Sequence, residues 1–71
     1  MQIIFNKYHG TGNDFILIDN RNNCINPADE KLIGFLCDRH KGVGSDGLIL
    51  IDEHEKYDFE MRYFNADGRE G

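Results

Sequence analysis

With 71 residues, 39% hydrophobic and 30% charged, the chain holds at most one small domain, and its apolar residues fall in organised runs that suit a globular chain better than a disordered one. A domain of about 60 residues buries only about 60% of the surface its unfolded chain exposes, so marginal stability is expected. A formal net charge of −5, with no stripe of Lys or Arg to neutralise phosphates, argues against nucleic acid as a partner.

Met1 to Lys7 lack the charged start and apolar run of a leader, and no stretch reaches the roughly 20 apolar residues that span a bilayer. The expectation is a soluble, cytoplasmic protein without a membrane partner. Ile3 to Phe5 opens an extended segment that runs toward Tyr8. Next comes His9-Gly10-Thr11-Gly12-Asn13-Asp14-Phe15, whose two glycines let the backbone turn sharply and approach a ligand closely. By spacing alone these residues fit a small-molecule site at the mouth of a strand and an ordinary glycine turn equally well.

Phe15 to Asp19 reads as a second strand and Asp19 to Asn23 as a polar turn. A helix is expected over about Pro27–His40, with Asn26 as N-cap, Pro27 at the first helical position, and Asp29 and Glu30 at the positive end of the dipole. Arg39, His40 and Lys41 fall in its last turn, and Gly42 is placed for a left-handed C-cap. Leu32, Ile33, Leu36 and Cys37 form its apolar face with Phe35 at the border, and Gly34 points to close packing against a neighbour.

Leu48 to Ile51 is a continuous apolar run that fits a strand buried on both faces. Asp52 to Lys56 forms a charged loop. Tyr57 to Tyr63 then alternates apolar or aromatic residues with charged ones, the pattern of a strand with one face on a core and one in water.

Gly42-Val43-Gly44-Ser45-Asp46-Gly47 matches G-x-G-x-x-G, but it leads from a helix into a strand, the reverse of a dinucleotide-binding turn. Nicotinamide and flavin are therefore not expected. His9, His40 and His54 are scattered and the carboxylates lack ligand spacing, so no metal is expected. Cys24 and Cys37 are too far apart for a Cys-x-x-Cys motif and read as reduced, buried or half-buried thiols. Asn65, in Phe64-Asn65-Ala66-Asp67-Gly68, stands where a strand ends. Its amide suits the carboxylate and ammonium of an amino acid, and a plain Asp-Gly turn explains the same residues.

Three segments together, His9 to Phe15, Asp38 to Leu48 and Phe64 to Gly68, resemble the N-terminal part of the diaminopimelate epimerases, in the family's order and across nearly the whole chain. The resemblance implies a cofactor-independent isomerase that interconverts LL- and meso-diaminopimelate on the way to lysine and peptidoglycan, with a homodimeric full-length enzyme. It implies an α+β fold of two pseudo-symmetric domains, each a curved, mainly antiparallel sheet wrapped round a central helix. Residues 1–71 would be an incomplete first domain, with the helix at about Pro27–His40 packed on the sheet and the central helix missing.

By the same resemblance Asn13 and Asn65 match substrate-binding asparagines. Gly47 stands where many members carry a Gln, leaving a backbone contact there. Asp46 and Asp67 are assigned to loop geometry. The family uses two cysteines, one as thiolate base and one as thiol acid, and the first lies in a Cys-Gly-Asn-Gly stretch expected just beyond Gly71. Cys24 and Cys37 do not match it, so no catalytic residue is expected here and the chain alone is expected to be inactive. The rival reading is a non-catalytic binding or interaction module built on the same half-domain.

Overall fold

The computed structural model describes residues 3–71, so the reading of the first residues as leaderless falls partly on Met1 and Gln2, outside the described residues. The elements in order are β1 (Phe5–His9), β2 (Asp14–Asp19), α1 (Glu30–Cys37), β3 (Gly47–Asp52) and β4 (Glu60–Asn65). They form one four-stranded sheet in the order β1-β2-β3-β4, antiparallel at its two outer pairs and parallel between β2 and β3. A parallel pair needs a long crossover, and the segment carrying α1 supplies it. This topology starts β2 and β3 at the same end of the sheet, and β4 ends there.

One face of the sheet carries the core. Ile16 and Ile18 of β2, Leu48 and Leu50 of β3, and Phe64 of β4 pack with Ile33 and Cys37 of α1 and with Ile25. Each of these isoleucine, leucine and phenylalanine side chains contributes about 1.5–3 kcal/mol on full burial. Gly34 lets α1 lie close to the turn after β4, since a β-carbon there would stand 3.3 Å from the Asp67 carbonyl oxygen.

The opposite face differs from expectation. Ile49 and Ile51 are only half-buried, so β3 is fully covered on one side and not on both. In β4 the alternation is real, but its apolar phase points away from the core. Phe64 is buried and Arg62 half-buried on the helix side, whereas Met61 (57% exposed) and Tyr63 lie on the open side. The register with β3 explains this. Leu48 pairs with Phe64 and Leu50 with Arg62, so the residues opposite the buried leucines take the core face. Tyr57 and Phe59 precede the strand and are exposed.

The helix is shorter than expected at both ends. Asn26 caps a turn and not the helix: its Oδ1 accepts from the Ala28 N–H at 3.0 Å, and Asp29 caps α1 by accepting from the Leu32 N–H at 3.0 Å. At the other end Asp38 is extended (ψ 126°), and its carboxylate accepts from the N–H groups of His40 and Lys41. Arg39, His40 and Lys41 therefore lie outside the last turn. The last helical carbonyls are taken by the returning loop, with Val43 and Gly44 donating to Leu36 and Ser45 to Cys37. Gly42 is not left-handed; a β-carbon there would overlap the Phe35 carbonyl oxygen, and Gly44 (φ 86°) makes the left-handed bend. Phe35 is half-exposed and does not border the core.

Candidate functional site

The three residues singled out in the sequence meet at one end of the sheet. Phe15 pairs with Gly47, and Gly47 pairs with Asn65, so one row crosses β2, β3 and β4 on the open face. Asn13 stands two residues ahead of Phe15 in the turn closed by the Gly10 N–H donating to the Asn13 carbonyl at 2.7 Å. Gly12 supplies that turn's left-handed residue (φ 79°). Asn13 and Asn65 are both exposed.

Around Asn65 the backbone turns tightly. Its N–H donates to the Arg69 carbonyl at 2.8 Å, its carbonyl accepts from Gly68, and Asp67 accepts from the Arg69 N–H. The chain then returns along β4: the Gly71 N–H donates to the Tyr63 carbonyl at 3.0 Å, and a β-carbon at Gly71 would stand 3.5 Å from Asn65 Nδ2. Aromatic rings floor this end of the open face, with Phe15 5.7 Å from Tyr63 and 5.9 Å from Tyr8 between centroids.

Behind the row, on the helix side, lies a charged cluster that sequence reasoning missed. Asp14, only 7% exposed, accepts from Arg39 Nη1 and Nη2 at 3.1 and 2.9 Å and pairs with Lys7 Nζ at 3.3 Å. The Asp46 N–H donates to Asp14 Oδ1 at 2.9 Å, the Asp14 N–H donates to Asp46 Oδ2 at 3.3 Å, and Arg39 also reaches Asp46. The Arg39 guanidinium holds the Asp14 carboxyl well below the usual carboxylate range, helped by the Asp46 N–H and Lys7 and opposed by desolvation. Asp46, read as loop geometry, is thus half of a link between two loops. One signal was present: Asp14 shares its alternation phase with Ile16 and Ile18, so the strand period alone puts a carboxylate on the core face.

The cysteines lie elsewhere. Cys37 is buried in α1, and burial pushes its thiol pKa up, which disfavours a thiolate. Cys24 is half-buried beyond the far end of β2, its Sγ 3.5 Å from Asn20 Oδ1. It borders an open depression of about 450 Å³ together with Ile4, Asn6, Asp19, Arg21 and Asn22. The loop Gly42–Gly47 leads from α1 into β3, the wrong direction for a pyrophosphate turn. No helix among the described residues is long and apolar enough to cross a membrane.

A family model described as diaminopimelate epimerase matches residues 5–71. The chain is 52% identical over 64 residues to a diaminopimelate epimerase of Flavobacterium psychrophilum, covering 90% of this chain and 25% of that protein. It is 51% identical over 71 residues to that of Nostoc punctiforme and 44% identical over 72 residues to that of Archaeoglobus fulgidus, each over 99% of this chain. The chain spans about a quarter of the length of these relatives.

Proposed function

The chain belongs to the diaminopimelate epimerase family, and from that premise we propose that it is the N-terminal part of an isomerase that interconverts LL- and meso-diaminopimelate, toward lysine and peptidoglycan precursors. The observation that carries the reading is the row Phe15, Gly47, Asn65 with Asn13 at its head. Two exposed carboxamides at one sheet end offer donors and acceptors to the carboxylate and ammonium of an amino acid. Gly47 between them carries no side chain, and the Tyr63 ring lies over it.

Inverting an α-carbon without a cofactor takes a base on one face and an acid on the other, and a weakly acidic proton calls for a desolvated, low-pKa thiolate. Cys37 is buried with its pKa raised and Cys24 lies beyond the opposite end of β2, so neither suits that role. The reading places the first reacting thiol in residues that follow Gly71, and its support is that Gly71 is held beside Tyr63 and Asn65. Residues 1–71 are then an incomplete first domain of a two-domain, homodimeric, cytoplasmic enzyme. The open sheet face bearing Ile49, Ile51, Met61 and Tyr63, uncovered by any described element, fits that incompleteness.

The test is solvent exchange of the substrate's α-hydrogen in D2O, with calorimetry against meso-diaminopimelate. The full-length polypeptide carrying this segment should exchange and bind, Asn13→Ala and Asn65→Ala should each weaken binding, and residues 1–71 alone should not exchange. Exchange by residues 1–71 alone would refute the placement of the thiols. Undiminished binding by both alanine variants would remove the asparagines from the site.

A further inference from the structure

We propose that Asp14 and Arg39 are a positioning pair that fixes the Asn13 turn against the start of β3 and so sets where a bound amino acid meets Asn13; the inference rests on reading Asn13 as a substrate contact. Pairing of β1 with β2 begins at His9 and Asp14, so Asn13 itself has no strand partner. Its place is fixed upstream by the single bond from Gly10 and downstream by whatever holds Asp14.

Asp14 is held unusually well for a residue at a strand end. Its carboxylate accepts both arms of the Arg39 guanidinium, the Lys7 ammonium and the Asp46 N–H, and Asp46 directly precedes Gly47. The residue after Asn13 and the residue before Gly47 are joined directly, the Asp46 N–H donating also to the Asp14 carbonyl at 3.1 Å and the Asp14 N–H to Asp46 Oδ2 at 3.3 Å, and Arg39, reaching both carboxylates, braces that junction. Arg39 is held in turn by the loop after α1: at Gly44, left-handed with φ 86°, a β-carbon would stand 3.0 Å from the Arg39 Cα. A planar fork that meets both carboxylate oxygens fixes orientation as well as distance, which a lysine ammonium does not.

The other end of β2 supplies a built-in comparison. Arg21 grips Asp19 with a still shorter fork, 2.9 and 2.7 Å, but the partners are two residues apart and exposed, and the pair joins nothing distant. An ion pair as such is therefore not the source of the effect proposed.

The experiment compares Arg39→Gln, Arg39→Lys and Arg21→Gln in the full-length polypeptide carrying this segment, using steady-state epimerisation and amide hydrogen exchange. Arg39→Gln should raise KM for diaminopimelate about 10- to 100-fold, the scale on which a small misplacement near a site is felt. Arg39→Lys should recover part of it, and Arg21→Gln should behave as wild type. A merely structural role lowers the active fraction and thus apparent kcat while leaving KM in place, so an unchanged KM in both Arg39 variants overturns the proposal. Exchange at the Asp46 N–H is the readout independent of substrate. It should quicken in Arg39→Gln and not in Arg21→Gln, and equal rates refute the link even if the polypeptide proves to have no epimerase activity. A polypeptide that neither exchanges the α-hydrogen nor binds diaminopimelate, yet shows the quickened Asp46 exchange, overturns the functional reading and with it the substrate half of this proposal.

Discussion

The phenol oxygen of Tyr63 lies 2.8 Å from where a β-carbon on Gly47 would stand, and the Phe64 carbonyl oxygen lies 2.9 Å from the same point. Glycine at 47 and tyrosine at 63 are thus fitted to each other at the Asn65 end of the open face. Gly47→Ala should destabilise by about 1–3 kcal/mol, the usual cost of overpacking. Removing the ring in a Gly47→Ala/Tyr63→Leu double variant should restore only part of this, because the Phe64 carbonyl belongs to the β3–β4 ladder and cannot swing away. Urea midpoints of the two variants measure the difference, and full restoration would show that the backbone contact costs nothing.

Acid should weaken the fold through Asp14. Its folded-state pKa is depressed by the Arg39 fork, whereas its unfolded value is that of an ordinary carboxyl, 3.8. Above about pH 4 both states are ionised and the contribution is fully present; below it the unfolded state takes up the proton first, and stability falls until the folded carboxyl also protonates. Asp19, held at about 2 by Arg21, adds a loss in the window between about 4 and about 2. Asp14→Asn should flatten the acid limb of a stability–pH curve more than Asp19→Asn, since Asp14 is buried and Asp19 exposed. Equal flattening would contradict the burial argument.

Asn20 is a lock at the far end of the sheet. Only 1% exposed, it donates to the Ile25 carbonyl at 2.9 Å and to Asp52 Oδ1 at 2.7 Å, and accepts from the Ile25 N–H at 2.8 Å. Asn20→Ala should cost about 2 kcal/mol or more, because both backbone groups of buried Ile25 lose their partner. Asn20→Asp should fare no better: a carboxylate still accepts from the N–H but faces the Ile25 carbonyl and Asp52 with no donor. Thermal unfolding of the two variants checks this, and a near-wild-type Asp variant would refute it.

Two left-handed glycines should respond differently to alanine. At Gly12 (φ 79°) nothing lies within 4 Å of the added carbon, so Gly12→Ala should cost only the conformational term, about 1–2 kcal/mol. At Gly68 (φ 93°) the carbon would also overlap the Glu30 carbonyl oxygen at the start of α1. Gly68→Ala should be clearly the more damaging in chemical denaturation, with the same ordering at every temperature below unfolding.

The open face makes a prediction about residues 1–71 in isolation. Tyr8, Met61 and Tyr63 are exposed beside half-buried Phe15, Leu17, Ile49 and Ile51, a patch no described element covers. Such a surface on a domain this small favours self-association over a stable monomer. Sedimentation should show concentration-dependent association, and a dilute monomer with well-dispersed amide signals would contradict it.

Several features were legible in the sequence because they rest on neighbours in the chain. The strands around Ile16 and Leu48, the apolar stripe of Ile33 and Cys37, and the close approach at Gly34 follow from local spacing. That Asn13, Gly47 and Asn65 stand at one end of the sheet was not legible, because their placement depends on the pairing of β2, β3 and β4. The N-terminal end of α1 is not legible in the sequence because Asn26 and Asp29 are both good caps. The choice fell to Asp29 once Asn26 was engaged in its own turn with Ala28.

What the sequence alone determined is which residues alternate and where the chain must turn, because a period of two and a left-handed glycine are properties of a few consecutive residues. Only the tertiary structure decided which phase of β4 meets the core and that Asp14 finds Arg39. The first depends on register with β3, where Leu48 faces Phe64 and Leu50 faces Arg62. The second joins residues 25 apart through a helix and a returning loop. Neither is encoded in local spacing, because each side chain's environment is made by strands and loops distant in sequence.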